Sequence, residues 1–144
     1  MPNVSRVIER KNRTLITVAS DFKVIDALKV MAENNIGSVI VQDKEGMYMG
    51  ILTERDYSRK VVLQGKSSTD TPVTEIMSTN MQRVSPADSL EHCMQLMTRD
   101  NVRYLPVFKE NELVGVISMS DVVKETILMQ EETIKHLETY ITRQ

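Results

Sequence analysis

The chain has 144 residues, of which 41% are hydrophobic and 26% charged, the size and composition of one soluble globular unit. A net charge of −2 and 4% aromatics without tryptophan argue against a basic surface or a stacking platform for nucleic acid, so no DNA partner is expected. The start lacks the apolar core of a secretory signal, no apolar run approaches the roughly 20 residues that span a bilayer, and a single cysteine, Cys93, excludes an internal disulfide framework. A cytoplasmic protein with no membrane partner is the expectation.

In chain order, Ile16-Thr17-Val18 reads as a short opening strand. Val24, Leu28 and Met31 then fall at i, i+4 and i+7, the stripe of a core-facing helix, and Asp21 stands near its start, where a carboxylate suits the helix dipole. Two apolar runs, Ser38-Val39-Ile40-Val41 and Tyr48-Met49-Gly50-Ile51-Leu52, flank a polar turn and predict paired strands. A helix from Glu54 to about Leu63 follows. Gly65-Lys66-Ser67-Ser68-Thr69-Asp70-Thr71-Pro72, polar with breakers at both ends, reads as a flexible linker.

The series then starts again. An opening strand around Arg83-Val84, a helix carrying Leu90, Met94 and Met97 with Asp88 near its start, strands over Tyr104–Phe108 and Leu113–Ile117, and a helix from Met119 repeat the order. Val18 aligns with Val84, Met31 with Met97, Asn35 with Asn101 and Val41 with Val107. Two copies are too few for a solenoid, so the copies are expected to pack as one pseudo-symmetric unit. The first repeat, with its N-terminal segment and linker, takes residues 1–70, the second takes 71–130, and 131–144 form a C-terminal helical extension. On that last helix Ile127, Ile134, Leu137 and Ile141 share one side, with Glu131, Glu132, Lys135, Glu138 and Arg143 elsewhere. The stripe either covers the core or meets the same helix of a second subunit.

The sharpest repeated feature is Gly50-Ile51-Leu52-Thr53-Glu54-Arg55-Asp56, which returns as Gly115-Val116-Ile117-Ser118-Met119-Ser120-Asp121. A hydroxyl followed three residues later by an acid at a helix start is a capping box, with Thr53 or Ser118 accepting from the backbone and Asp56 or Asp121 reaching back. The same turn also suits a ligand. A helix start attracts phosphate, and a carboxylate one turn in accepts the hydroxyls of a ribose. Because the aspartate repels phosphate, such a site wants a nearby cation, and Arg55, Arg59, Lys60 and Arg103 are the candidates.

Both repeats resemble the cystathionine beta-synthase (CBS) domain, whose hallmark is Gly-aliphatic-aliphatic-Thr/Ser-x-x-Asp. Glu75-Ile76-Met77, Val84-Ser85-Pro86-Ala87-Asp88-Ser89-Leu90 and Asn101-Val102-Arg103-Tyr104-Leu105-Pro106-Val107 are further marks, and the resemblance runs from about Val7 to Val123. It implies an α/β (α+β) fold of two β-α-β-β-α repeats packed as one Bateman module with a long C-terminal helix. Such a module holds up to two adenosine-containing ligands in its cleft, among them AMP, ADP, ATP, NAD and S-adenosylmethionine. Carried over by position, the resemblance implies one site at Thr17, Val18, Ile36, Gly37, Ser38, Thr53, Arg55 and Asp56. The other takes Val84, Ser85, Val102, Arg103, Tyr104, Pro106, Ser118, Ser120 and Asp121. The aspartates would hold ribose hydroxyls, Thr53 and Ser118 would meet phosphate or neighbouring groups, and adenine would lie against Thr17, Val18, Ile36, Gly37 and Ser38 in one site and against Val84, Ser85, Val102, Arg103, Tyr104 and Pro106 in the other. Gly37-Ser38 aligns with Arg103-Tyr104, which implies unequal sites.

No catalytic constellation accompanies this. His92 and His136 have no partner at metal-ligand spacing, the five glycines form no phosphate loop, and no serine stands in a nucleophile elbow. The expectation is therefore no enzyme, no metal and no catalytic cofactor. Two function classes remain: a regulatory homodimer that senses an adenine nucleotide and signals to a protein effector, and a structural or adaptor homodimer whose boxes only cap helices.

Overall fold

The computed structural model describes residues 2–142; Arg143, assigned from sequence to the polar side of the last helix, lies outside them. The elements are α1 (Val4–Lys11), β1 (Thr17–Ala19), α2 (Val24–Asn34), β2 (Ser38–Gln42), β3 (Tyr48–Thr53), α3 (Glu54–Tyr57), α4 (Leu90–Asp100), β4 (Tyr104–Lys109), β5 (Glu112–Ser118) and α5 (Met119–Thr142). The fold is mixed α/β with small sheets and a long C-terminal helix. It forms two compact units: Thr14–Met81, and the residues up to Arg13 with those from Gln82 onward.

In the Thr14–Met81 unit, β1 pairs in parallel with β2 and β2 antiparallel with β3. Helix α2 buries Val24, Ala27 and Met31 against Val39, Val41 and Leu52, the side-chain period of 3.6 meeting the period of 2. The helix ends at Asn35, whose φ of 52° is the left-handed conformation that asparagine tolerates; Asn101 ends α4 the same way at 53°. That shared role explains why the two asparagines align. The helix expected from Glu54 to about Leu63 starts as α3 and continues as a π-helical turn over Ser58–Val62.

The linker expectation is corrected by this unit. Residues 65–72 do not hang between repeats, because α2 lacks a side-chain cap and backbone carbonyls of the segment take its place: Val24 N donates to Thr71 O and Ile25 N to Ser68 O, both at 2.9 Å. Unpaired helix N–H groups are costly to leave unmet, which ties the segment down. Val73 and Ile76 then enter the same core, so 71–81 pack with the first repeat.

In the other unit β4 pairs antiparallel with β5. The opening strand expected around Arg83-Val84 is reduced to one parallel bridge, Val84 with Val107, in which Val84 N donates to Pro106 O and Phe108 N to Val84 O. Pairing stops there because Ser85 N is taken by the Asp88 carboxylate and Pro86 has no N–H to give. Helix α4 buries Leu90, Cys93, Leu96 and Met97, and α1 adds Val4 and Val7 to that core. The N-terminal segment thus packs with the second repeat. Its polar side reinforces the placement, since Arg6 and Arg10 pair with Glu125 of α5, which is 2% exposed. The hydrogen bond that Arg10 donates to the Glu125 carboxylate holds its guanidinium above the ordinary pKa.

Candidate functional site

Both copies of the motif fold as reciprocal capping boxes at a strand-to-helix turn. In the first, Asp56 N donates to Thr53 Oγ1 at 3.1 Å and Thr53 N to Asp56 Oδ2 at 3.0 Å. In the second, Asp121 N donates to Ser118 Oγ at 3.0 Å and Ser118 N to Asp121 Oδ2 at 2.9 Å. The first helical N–H beyond each strand is also met: Glu54 N donates to Gly37 O, and Met119 N to Arg103 O. The helix-cap reading is therefore realised at both turns.

The motif's glycine has its own cause. Ser78 bridges to Ile51 along the edge of β3, and a Cβ on Gly50 would stand 2.6 Å from Ser78 O. On β5, a Cβ on Gly115 would stand 2.7 Å from Ile8 Cδ1 of α1. Each glycine admits a segment lying directly over its strand, and each segment brings groups to the nearby aspartate. Ser78 Oγ donates to Asp56 Oδ1 at 3.1 Å, and Lys11 at the end of α1 reaches Asp121.

Each aspartate is held by one lysine. Lys60 Nζ lies 3.0 Å from Asp56 Oδ1 and also donates to Ile76 O; Lys11 Nζ lies 3.0 Å from Asp121 Oδ2 and donates to Val116 O. Of the four cations expected from sequence, Lys60 takes this role, while Arg59 and Arg103 are exposed. Lys11 and Ser78 were missed. Lys11 lies outside either motif and carries no local signal, and Ser78 showed only as the residue after Glu75-Ile76-Met77.

The two boxes differ in depth. Asp56 is 6% exposed and both its oxygens are engaged, whereas Asp121 is partly exposed and its Oδ1 accepts no hydrogen bond among the described residues. The other residues named from sequence gather around each box within its own unit. Gly37 and Ser38 lie across β2–β3 from Thr53, with Ile36 just before them and Thr17 and Val18 further along on β1; Arg55 is half-buried beside Asp56. In the other unit Tyr104 pairs with Ser118 and Pro106 with Val116, Val102 and Arg103 precede them, and Val84 and Ser85 flank Pro106. Val18, Val84 and Pro106 are buried; Arg103 and Ser120 are exposed.

A family model described as the CBS domain matches residues 4–62 and 73–127. The chain belongs to the CBS domain family. A CBS domain-containing mitochondrial protein of Arabidopsis thaliana, CBSX3, is 34% identical over 146 residues, covering 96% of this chain and 71% of the relative. The structure of a protein with CBS domains from Burkholderia ambifaria is 43% identical with a TM-score of 0.83, covering 88% of this chain and 94% of that one. The CBS domain pair of protein MJ0100, in complex with 5-methylthioadenosine and S-adenosyl-L-methionine, shares the fold at 23% identity and a TM-score of 0.76, covering 88% of this chain and 96% of that one.

Among the described residues no group of three or more His, Cys, Asp or Glu side chains is placed to hold a metal ion, and both histidines are exposed. No helix among them is long and apolar enough to cross a membrane. Burial pushes the Cys93 thiol up to about 11, which keeps it protonated and a poor nucleophile.

Proposed function

We propose that this CBS protein is a regulatory sensor without catalytic activity. An adenosine-containing compound, AMP, ADP, ATP, NAD or S-adenosylmethionine, binds at the motif turns of a cytoplasmic homodimer, and occupancy is relayed to a protein effector by conformational change. The observation that carries the reading is the duplicated turn, in which an aspartate serves both as a helix cap and as a lysine's partner. Membership of the CBS family and the two adenosine compounds bound to MJ0100 support the ligand class.

In this reading Asp56 and Asp121 exchange lysine contacts for ribose hydroxyls, and Thr53 and Ser118 meet phosphate or neighbouring groups. Lys60 and Lys11, released from the carboxylates, turn to the ligand's negative charge. Adenine lies against Thr17, Val18, Ile36, Gly37 and Ser38 at one site, where Arg55 is a candidate cation for the ligand's phosphate. At the other it lies against Val84, Ser85, Val102, Arg103, Tyr104 and Pro106, with Ser120 beside the aspartate. The Asp121 turn fills first, because its carboxylate has an oxygen to offer while Asp56 must first give up Ser78 or Lys60. The signal rests on whatever difference in affinity the ligand has for the two conformations.

Thermal melting with those five compounds, on the wild type and on Asp56→Ala and Asp121→Ala, tests the proposal. A true ligand at about 100 times its Kd stabilises the fold by roughly 2.7 kcal/mol, and each variant lowers the response. No shift with any of them leaves the adaptor reading, in which the boxes serve as caps alone. A shift undiminished in both variants keeps binding but removes these residues from the site.

A further inference from the structure

One side of α5 is committed and the other is bare. Glu125 and Glu132 tie the helix to Arg6 and Arg10 of α1, which fixes its rotation. The opposite side carries Val123, Ile127, Ile134, Leu137 and Ile141 at the spacing of a coiled-coil seam, and they are 49% to 69% exposed. The seam has two dissimilar halves. Its first turns present an open apolar face made by Met119, Val123, Ile127 and Leu128, with Ser120 and Lys124 beside them. From Glu131 to Thr142 every residue is exposed, so the second half projects as an arm with Glu138 on the same edge as Lys124.

From this we infer that the chain dimerises by reciprocal exchange of these arms, the segment Ile134–Ile141 of each copy lying antiparallel along the Val123–Ile127 face of the other. The inference rests on the homodimer reading above and not on any ligand. Charge and layering choose the direction. Reversed about a two-fold axis, Ile127 meets Leu137 of the second copy, Val123 meets Ile141, and Gln130 meets Ile134 at the centre. A lone polar core position of that kind sets register at some cost in stability. Lys124 then faces Glu138 of the second copy at both ends, while Glu131, which meets its own copy, has Lys135 one turn away on each helix. Run in parallel, the Lys124 and Glu138 edge faces Thr126, Thr133 and Tyr140 and forms no ion pair. One patch and its two-fold copy satisfy each other, as an isologous interface requires.

The test is light scattering on the full chain, with variants confined to the exposed seam of α5, outside both cores. Wild type is expected at twice 16.4 kDa and Ile134→Asp/Leu137→Asp at the monomer mass, with thermal unfolding of the folded units retained. Val123→Cys/Ile141→Cys is expected to form an interchain disulfide on mild oxidation, with neither single cysteine doing so; buried Cys93 stays out of the reaction. A dimer that survives the double aspartate variant, or one that cross-links through either single cysteine, overturns the arm exchange and leaves the homodimer reading intact. A monomeric wild type overturns both.

Discussion

Lys11 Nζ, at the end of α1, lies 3.0 Å from the Oδ2 atom of Asp121, on the first turn of α5. The same ammonium donates to the Val116 carbonyl, so the N-terminal helix closes onto the second motif turn. Both side chains are partly exposed, at 33% and 20%, and solvent therefore weakens the pair. Lys11→Met, which keeps the apolar stem, is expected to cost about 0.5–1 kcal/mol in urea unfolding. A double-mutant cycle with Asp121→Asn should return a coupling of similar size, and additivity would show that the contact contributes nothing.

The two aspartates should not be equivalent in stability. Asp56→Ala strands the Thr53 N–H and the Ser78 hydroxyl around a buried site, while Lys60, 45% exposed, keeps the Ile76 carbonyl, and a cost of about 2–3 kcal/mol is expected. Asp121→Ala loses a cap and a partly solvated ion pair, about 1 kcal/mol. Chemical denaturation of the two variants side by side checks the order, and equal losses would contradict the difference in burial.

The motif glycines make a matched pair of a different kind. At Gly50 the obstacle is the backbone oxygen of Ser78, which cannot move without breaking the bridge to Ile51, so Gly50→Ala should cost about 2–3 kcal/mol. At Gly115 the obstacle is the tip of a side chain, Ile8 Cδ1, and the cost should be nearer 1 kcal/mol. Adding Ile8→Val, which removes that methyl, should recover stability in Gly115→Ala and give no recovery in Gly50→Ala.

Cys93 gives an alkaline signature. Its thiol moves from about 9 when unfolded to about 11 when folded, chiefly through desolvation and secondarily through the charge of Asp88. Between those values the unfolded chain releases the proton and the folded one keeps it, so stability falls as pH rises from 9 to 11. The loss is about 2–3 kcal/mol at its fullest. Other groups titrate in this range, so the measurement is the difference between wild type and Cys93→Ala, whose slope should be shallower. Parallel slopes would mean that the thiol ionises without cost.

What could be read from the chain tracks how local each interaction is. The two capping boxes need only residues three apart, the apolar stripes of α2 and α4 repeat within three turns, and the aligned Asn35 and Asn101 mark two left-handed helix ends. The opening strand at Val84 failed because its pairing depends on which backbone groups are already taken by Asp88 and removed at Pro86. The supposed linker failed because the need it meets, the uncapped start of α2, lies some forty residues upstream.

The sequence by itself determined the duplicated α-β-β-α order, the CBS family and the two turns that carry Asp56 and Asp121, since periodicity and short-range caps are written in neighbouring residues. Only the tertiary structure decided that α1 packs with the second repeat, that Ser78 closes on Asp56, and that Lys11 answers Asp121 from the far end of the chain. Those contacts arise where the burial of Val4 and Val7 and the missing Cβ atoms of Gly50 and Gly115 let distant segments lie against a strand. No spacing in the chain encodes them, because loop closure over a hundred residues costs little more than over fifty.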